Sequence, residues 1–136
     1  MPRRMKSLVL DSWAALTFFE DETAGKRIAD LISDAHDEGI QIYMSVMDLA
    51  ELWYIVAREK SEGDADEIIA ELGQLGVEFV EVDWDLAREA AWKRVSTGIS
   101  FACSVTSALA RRNRADLVTG NPEFKKIEDQ QNIRWI

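Results

Sequence analysis

Four short stretches of this 136-residue chain bring together side chains suited to metal-assisted or hydrolytic chemistry. Asp11 directly follows the apolar run Ser7-Leu8-Val9-Leu10. Glu51 lies in Ser45-Val46-Met47-Asp48-Leu49-Ala50-Glu51-Leu52, Cys103 follows Ser100 by three residues, and Thr119-Gly120-Asn121 closes another apolar run. Carboxylates are the ligands that hard divalent cations select, and a cation so held lowers the pKa of water and offsets phosphate charge. Each position also admits a plainer role. Asp11 can cap a helix, and Glu51 can be a surface helix residue, although Met47, Ala50, Tyr54 and Ile55 around it are mainly apolar. Cys103 taken alone reads as a small buried hydrophobe, and Asn121, between Gly120 and Pro122, as a turn residue.

The elements that must position these residues follow from periodicity. Residues 7–10 read as a buried strand leading into helices around 13–19 and 24–36. Residues 40–44 alternate as a second strand, after which Ser45 begins a helix, with Asp48 three residues on completing a capping-box-like arrangement. A helix over 64–75 ends near Gly76, residues 77–82 alternate as a third strand, and Asp83 caps a helix over 86–95. Ser100 caps a further helix through Arg112, residues 115–119 form a fourth strand, and residues 133–136 are a candidate fifth. Strands alternating with helices imply an α/β sandwich on a mainly parallel sheet, in which ligands bind beyond the carboxyl ends of the strands. Asp11 and Thr119-Gly120-Asn121 stand at such ends.

Composition narrows the classes of function. The length suits one domain, residues 1–136. One Cys allows no intrachain disulfide and suits a reducing cytoplasm, and one Cys with one His excludes a zinc site of the usual kind. The basic start, Met1 to Lys6, imitates a signal peptide, but Asp11 interrupts the apolar run after four residues. No stretch approaches the ~20 apolar residues of a membrane span. The net charge of −9 argues against holding nucleic acid by global positive charge. That charge is uneven, however: residues 1–85 carry 7 basic and 20 acidic side chains, residues 86–136 carry 9 and 5.

Taken in order, Leu8-Val9-Leu10-Asp11-Ser12, Ser45 through Leu52, Gly98-Ile99-Ser100-Phe101-Ala102-Cys103 and Leu117-Val118-Thr119-Gly120-Asn121-Pro122-Glu123-Phe124 resemble the PIN-domain family, especially the VapC-like toxins of toxin-antitoxin pairs. The resemblance covers nearly the whole chain, and the tail from Phe124 to Ile136 looks like the family's closing strand. It implies a three-layer α/β/α sandwich with a mainly parallel sheet of four to five strands, and a ribonuclease that uses Mg or Mn to hydrolyse RNA phosphodiesters. The family's four acidic positions correspond to Asp11, Glu51, Cys103 and Asn121, of which only Asp11 and Glu51 are acids. The resemblance therefore implies metal ligation by Asp11 and Glu51, help from the Asn121 carbonyl, and a Thr119 hydroxyl that orders a water or the loop.

The loss of two carboxylates predicts weak metal binding, because a thiol is a poor ligand for Mg and an amide carries no charge. Glu123 is the better substitute, since Asp116 starts its strand and should lie at the wrong end. Arg111, Arg112, Arg114, Lys125 and Lys126 are candidate RNA phosphate contacts, solvation being the alternative. Further partners implied by the resemblance are a small antitoxin and a second copy in a homodimer, with Trp53 and Tyr54 as interface candidates and core packing as the plainer role for Trp53. The competing reading is a catalytically inactive PIN-fold module that binds RNA or a protein. A receiver-like or phosphatase-like domain fits less well, because Ser12 and Trp13 follow Asp11 where such domains gather further acids.

Overall fold

A computed structural model of the chain describes residues 7–136, so the basic start, Met1 to Lys6, lies outside the described residues. Five strands, β1 (Leu8–Leu10), β2 (Ile42–Ser45), β3 (Val77–Val80), β4 (Asp116–Thr119) and β5 (Ile133–Trp135), form one sheet in the order β3-β2-β1-β4-β5. Every pairing is parallel, with Leu8 opposite Ile42 on one side and Asp116 on the other. Six α-helices connect them: α1 (Ser12–Glu20), α2 (Glu22–Asp37), α3 (Val46–Glu59), α4 (Glu62–Gln74), α5 (Trp84–Thr97) and α6 (Phe101–Arg112). The tail differs from a simple closing strand. Pro122–Ile127 is a 3-10 helix, with Pro122 in its first turn where no amide partner is needed, and only residues 133–135 pair as β5.

Alternation along β1 splits the core in two. Leu8 and Leu10 face one side of the sheet and pack with residues of α1 to α4, whereas Val9 faces the other and packs with α5, α6 and the 3-10 helix. The result is the three-layer α/β/α sandwich implied by the sequence. Trp53 packs partly buried against the first core while its indole N–H donates to Asp66 at 2.9 Å. Tyr54, by contrast, is exposed, with the Arg58 guanidinium 5.1 Å from its ring centre.

Helix α6 is central to the second layer. All of Cys103 through Ala110 is buried, which is why its small residues Ser104, Thr106, Ser107 and Ala108 sit where larger ones would not fit between sheet and α5. Phe124, fully buried in that layer, anchors the 3-10 helix that follows β4. Phe124→Ala should therefore cost about 3–5 kcal/mol in urea unfolding. A loss below about 1 kcal/mol would show that the 3-10 helix is held by something other than this ring.

Candidate active site

Four helix starts converge at the C-terminal edge of the sheet, and of the residues that open them Asp11, Ser100 and Asn121 line one cavity there while Ser45 bonds to Asp48 in its wall. β1 ends at Leu10, and extended backbone at Asp11 turns its carboxylate over the first turn of α1, where Oδ1 accepts from the Ala14 N–H at 2.7 Å. The other oxygen accepts from the Thr119 hydroxyl at the end of β4. Ser45 opens α3 by accepting from the Asp48 N–H at 3.1 Å, and Ser100 opens α6 by accepting from the Cys103 N–H at 3.2 Å. Asn121 opens the 3-10 helix, its Oδ1 accepting from the Glu123 N–H at 3.0 Å, while its own N–H donates to Thr119 Oγ1 at 3.0 Å. For Asp11, capping and site membership are thus one geometry.

Asp48 is the residue that sequence reasoning placed elsewhere. Only half of a capping box forms, because the Asp48 carboxylate turns inward instead of returning to the Ser45 N–H. Its Oδ1 accepts from the Ser12 N–H at 3.2 Å, and its Oδ2 from the hydroxyls of Thr106 at 2.5 Å and Ser45 at 3.2 Å. A signal was present: Asp48 stands three residues before Glu51, hence on the same helix face.

These side chains line a cavity of about 180 Å³ that includes Asp11, Asp48, Glu51, Glu123, Cys103 and Asn121. Glu123 enters it from the 3-10 helix. One of its carboxylate oxygens accepts from the Ser100 N–H and the other faces the Cys103 sulfur at 3.6 Å. Asn121 Nδ2 lies 3.6 Å from the same sulfur. Asp116, in contrast, stands at the start of β4, next to Arg134 at 3.0 Å. Among the described residues, the cavity wall therefore carries four carboxylates and no Lys or Arg. Glu51 is exposed at the rim, whereas Asp11 and Asp48 are 4% and 3% exposed.

Burying two carboxylates together perturbs both. Burial first, then the charge of Asp48, pushes Asp11 up to about 7, against the hydrogen bonds from Thr119 and Ala14. Burial pushes Asp48 up to about 6, opposed by the Thr106, Ser12 and Ser45 donors and reinforced by the charge of Glu51. Burial also pushes the Cys103 thiol up to about 12, with Glu123 adding to the shift, so the sulfur is a neutral thiol at physiological pH.

This donor set fits a hard cation in one specific manner. Among the described residues no three His, Cys, Asp or Glu side chains are arranged to hold a metal ion by themselves. Mg is commonly held by one or two carboxylates plus waters, without a protein cage. Asp11, half-satisfied by its two donors and pressed by a neighbouring negative charge, with Glu51 at the rim, meets that description; the thiol of Cys103 does not.

The turn after β4 is shaped by close approach. A Cβ on Gly120 would stand 2.6 Å from the Trp13 indole nitrogen, so glycine lets the chain pass Trp13 where it stands and any larger residue would push the indole aside. Trp13, 46% exposed, lines with Leu16, Ile55 and Asn121 an apolar groove of about 350 Å³ that also reaches Glu51.

Comparisons with known proteins agree with this architecture. The model of the PIN domain matches residues 8–130. Among solved structures, the chain is similar to VapBC2 from Rickettsia felis bound to a DNA fragment from its promoter, with 18% identity, TM-score 0.72, and coverage of 95% of this chain and 98% of that one. It is also similar to DNA-bound VapBC from Salmonella typhimurium, with 15% identity, TM-score 0.70 and coverage of 97% and 98%. A third is the sarcin-ricin loop cleaving toxin VapC20 of Mycobacterium tuberculosis, with 22% identity, TM-score 0.65 and coverage of 88% and 93%. No curated protein sequence matches significantly. No described helix is long and apolar enough to cross a membrane. With the family model spanning most of its length over a parallel sheet of the order 3-2-1-4-5, the chain belongs to the PIN-domain family and has the fold of the VapC toxins.

Proposed function

We propose that the chain is a VapC-like ribonuclease that uses Mg or Mn to hydrolyse RNA phosphodiesters at the carboxylate cavity, and that a small antitoxin restrains it. The observation that carries this reading is the cavity wall itself: four carboxylates, two of them buried against each other, with no basic residue among the described residues that line it. Such an arrangement is costly unless a cation occupies it. A bound divalent cation would supply Lewis acidity and a more acidic water. Asp11 and Glu51 are the ligands this reading assigns. Thr119 fixes the Asp11 carboxylate and the Asn121 loop at once, and Asp48 holds the start of α1 against α6 through Ser12 and Thr106. Glu123 restores a negative charge beside the two positions where Cys103 and Asn121 lack one. A cavity of about 180 Å³ admits an ion and waters but not a nucleotide, so RNA would lie across its mouth, where Trp13 is exposed.

The antitoxin follows from the company the fold keeps, since two of the structural relatives are VapBC complexes. By the same resemblance the protein acts in the cytoplasm as a homodimer. The specific observation that favours the second reading, a PIN module that binds without cutting, is the neutral thiol at Cys103.

Cleavage of an RNA oligonucleotide with Mn decides between them. Asp11→Asn should lower the rate at least ~100-fold, and Glu123→Gln by about tenfold, which is the range seen when groups around a metal are altered. Equal background from the parent and Asp11→Asn would leave the binding module as the surviving reading.

A second measurement uses stability. A carboxyl whose folded pKa is raised stabilises the fold fully below its unfolded value near 4, and that contribution is lost as pH rises through about 6 for Asp48 and about 7 for Asp11. In EDTA, Asp11→Asn should therefore gain stability relative to the parent by about 1–3 kcal/mol between pH 5 and pH 8 in urea unfolding. Mn at pH 8 should close that gap by stabilising the parent alone. A difference that stays flat with pH would show that ionised Asp11 carries no strain for a metal to relieve.

A further inference from the structure

At the opposite end of α6 from the carboxylate cavity lies a second cavity, of about 530 Å³, within the range of small-molecule clefts. Its wall inverts the chemistry of the first. Lys93, Arg111 and Arg114 supply three cations, Gln130, Gln131 and Asn132 supply amides, and no carboxylate lines it, in a chain whose net charge is −9. The amides are biased toward donation as well. Gln130 Oε1 already accepts from Lys93 Nζ at 3.3 Å, and Gln131 Oε1 from the Ser107 hydroxyl at 2.5 Å, which leaves the NH2 groups to offer. Arg112, the neighbouring cation, points elsewhere and pairs with Asp83 at 4.0 Å.

Backbone conformation supplies an independent observation. Helix α6 ends in a Schellman motif, in which the Ala115 N–H donates to the Ala110 carbonyl at 2.8 Å and the Arg114 N–H to that of Arg111 at 3.2 Å. The position that must be left-handed in this motif, usually Gly, is Arg114, at φ +50°. It is the one non-glycine with positive φ among the described residues. A residue held in a disfavoured conformation where glycine would serve better is a mark of a side chain retained for what it does. Lys93 agrees: burial, then the charge of Arg111, lowers its affinity for its proton, with Glu89 as the counteracting acid.

We propose that this cavity is a binding site for a phosphate-bearing ligand, the shared chemistry of a free nucleotide and of an RNA backbone, held by Lys93, Arg111 and Arg114. It is separate from the cleavage site, since Cys103 and Arg111 stand roughly 12 Å apart along the axis of α6. The proposal does not rest on ribonuclease activity. Of the basic residues that sequence reasoning grouped as contacts for RNA, Arg111 and Arg114 thus belong to a different end of the molecule from the carboxylates.

Calorimetric titration of the full chain with AMP, and separately with a short single-stranded RNA, tests it in EDTA, where no cleavage interferes. Arg111→Gln and Lys93→Gln should each weaken binding of at least one of the two by about tenfold. Loss in the AMP arm identifies a nucleotide site, and loss in the RNA arm alone identifies a backbone contact. Arg114→Gly is the decisive variant: it should weaken binding by a similar factor while its Tm equals or exceeds that of the parent, because glycine relieves the left-handed strain. No binding by the parent of either probe would overturn the proposal, as would unchanged affinity in Arg111→Gln and Arg114→Gly.

Discussion

Asp11 and Asp48 lie in one pocket, each almost fully buried, and the whole C-terminal edge of the sheet is arranged to make that tolerable. Two buried charges side by side are among the costlier features a small domain can carry. Here each carboxylate receives donors from different elements: Asp11 from α1 and β4, Asp48 from the start of α1, from Ser45 at the head of α3, and from α6 through Thr106. Those bonds tie together the ends of β1, β2 and β4, which is the place where the strand order reverses and a doubly wound sheet opens a crevice. The start of α1 contributes to both, since its Ala14 amide donates to Asp11 and its Ser12 amide to Asp48, at the positive end of the helix. These contributions lower the two pKa values but do not outweigh burial, and both acids remain raised.

Beside Cys103 and Asn121, neither of them an acid, Glu123 brings a further carboxylate into the same cavity wall. Being longer than Asp, its side chain reaches from the 3-10 helix to the Ser100 N–H and the Cys103 sulfur. Asn121 contributes differently: its carbonyl oxygen opens the 3-10 helix that carries Glu123, so the amide positions a carboxylate.

Much of this was legible in the sequence, for identifiable reasons. Element order and sheet class followed from periodicity, and Ser45, Asp83 and Ser100 open their helices as their side chains predict. Asp11 was legible both as a cap and as a candidate site residue; it caps α1 and lines the carboxylate cavity. Asp48 was misplaced because Ser45-x-x-Asp48 satisfies a local rule that fully accounts for an acid there; its inward turn depends on Thr106, 58 residues away, which no local pattern encodes. The 3-10 helix was missed because Phe124 and Ile127, both fully buried, make a single i, i+3 pair, too short a repeat for periodicity to register. Strand ends shifted by one or two residues, as at β2, where Ile40 lies outside the ladder and Ser45 inside it.

Net charge was the least informative quantity, and the structure shows why. Helix α6 carries the carboxylate of Glu123 against its N-terminal amides and Arg111 and Arg112 in its last turn, the arrangement its dipole favours at both ends. Its buried middle, from Cys103 to Ala110, separates a cavity whose charged lining residues among those described are acids from one whose charged lining residues are bases. A charge of −9 averages over that separation, whereas ligands respond to the local field, which in low-dielectric clefts decays little over a helix turn. The acidic surplus over α4 and β3 is mostly solvated and exposed, and so counts toward solubility more than toward recognition. What the chain sets out is therefore a polarity along α6: carboxylates line the cavity at one end and cations the cavity at the other, with a buried helix interior between them.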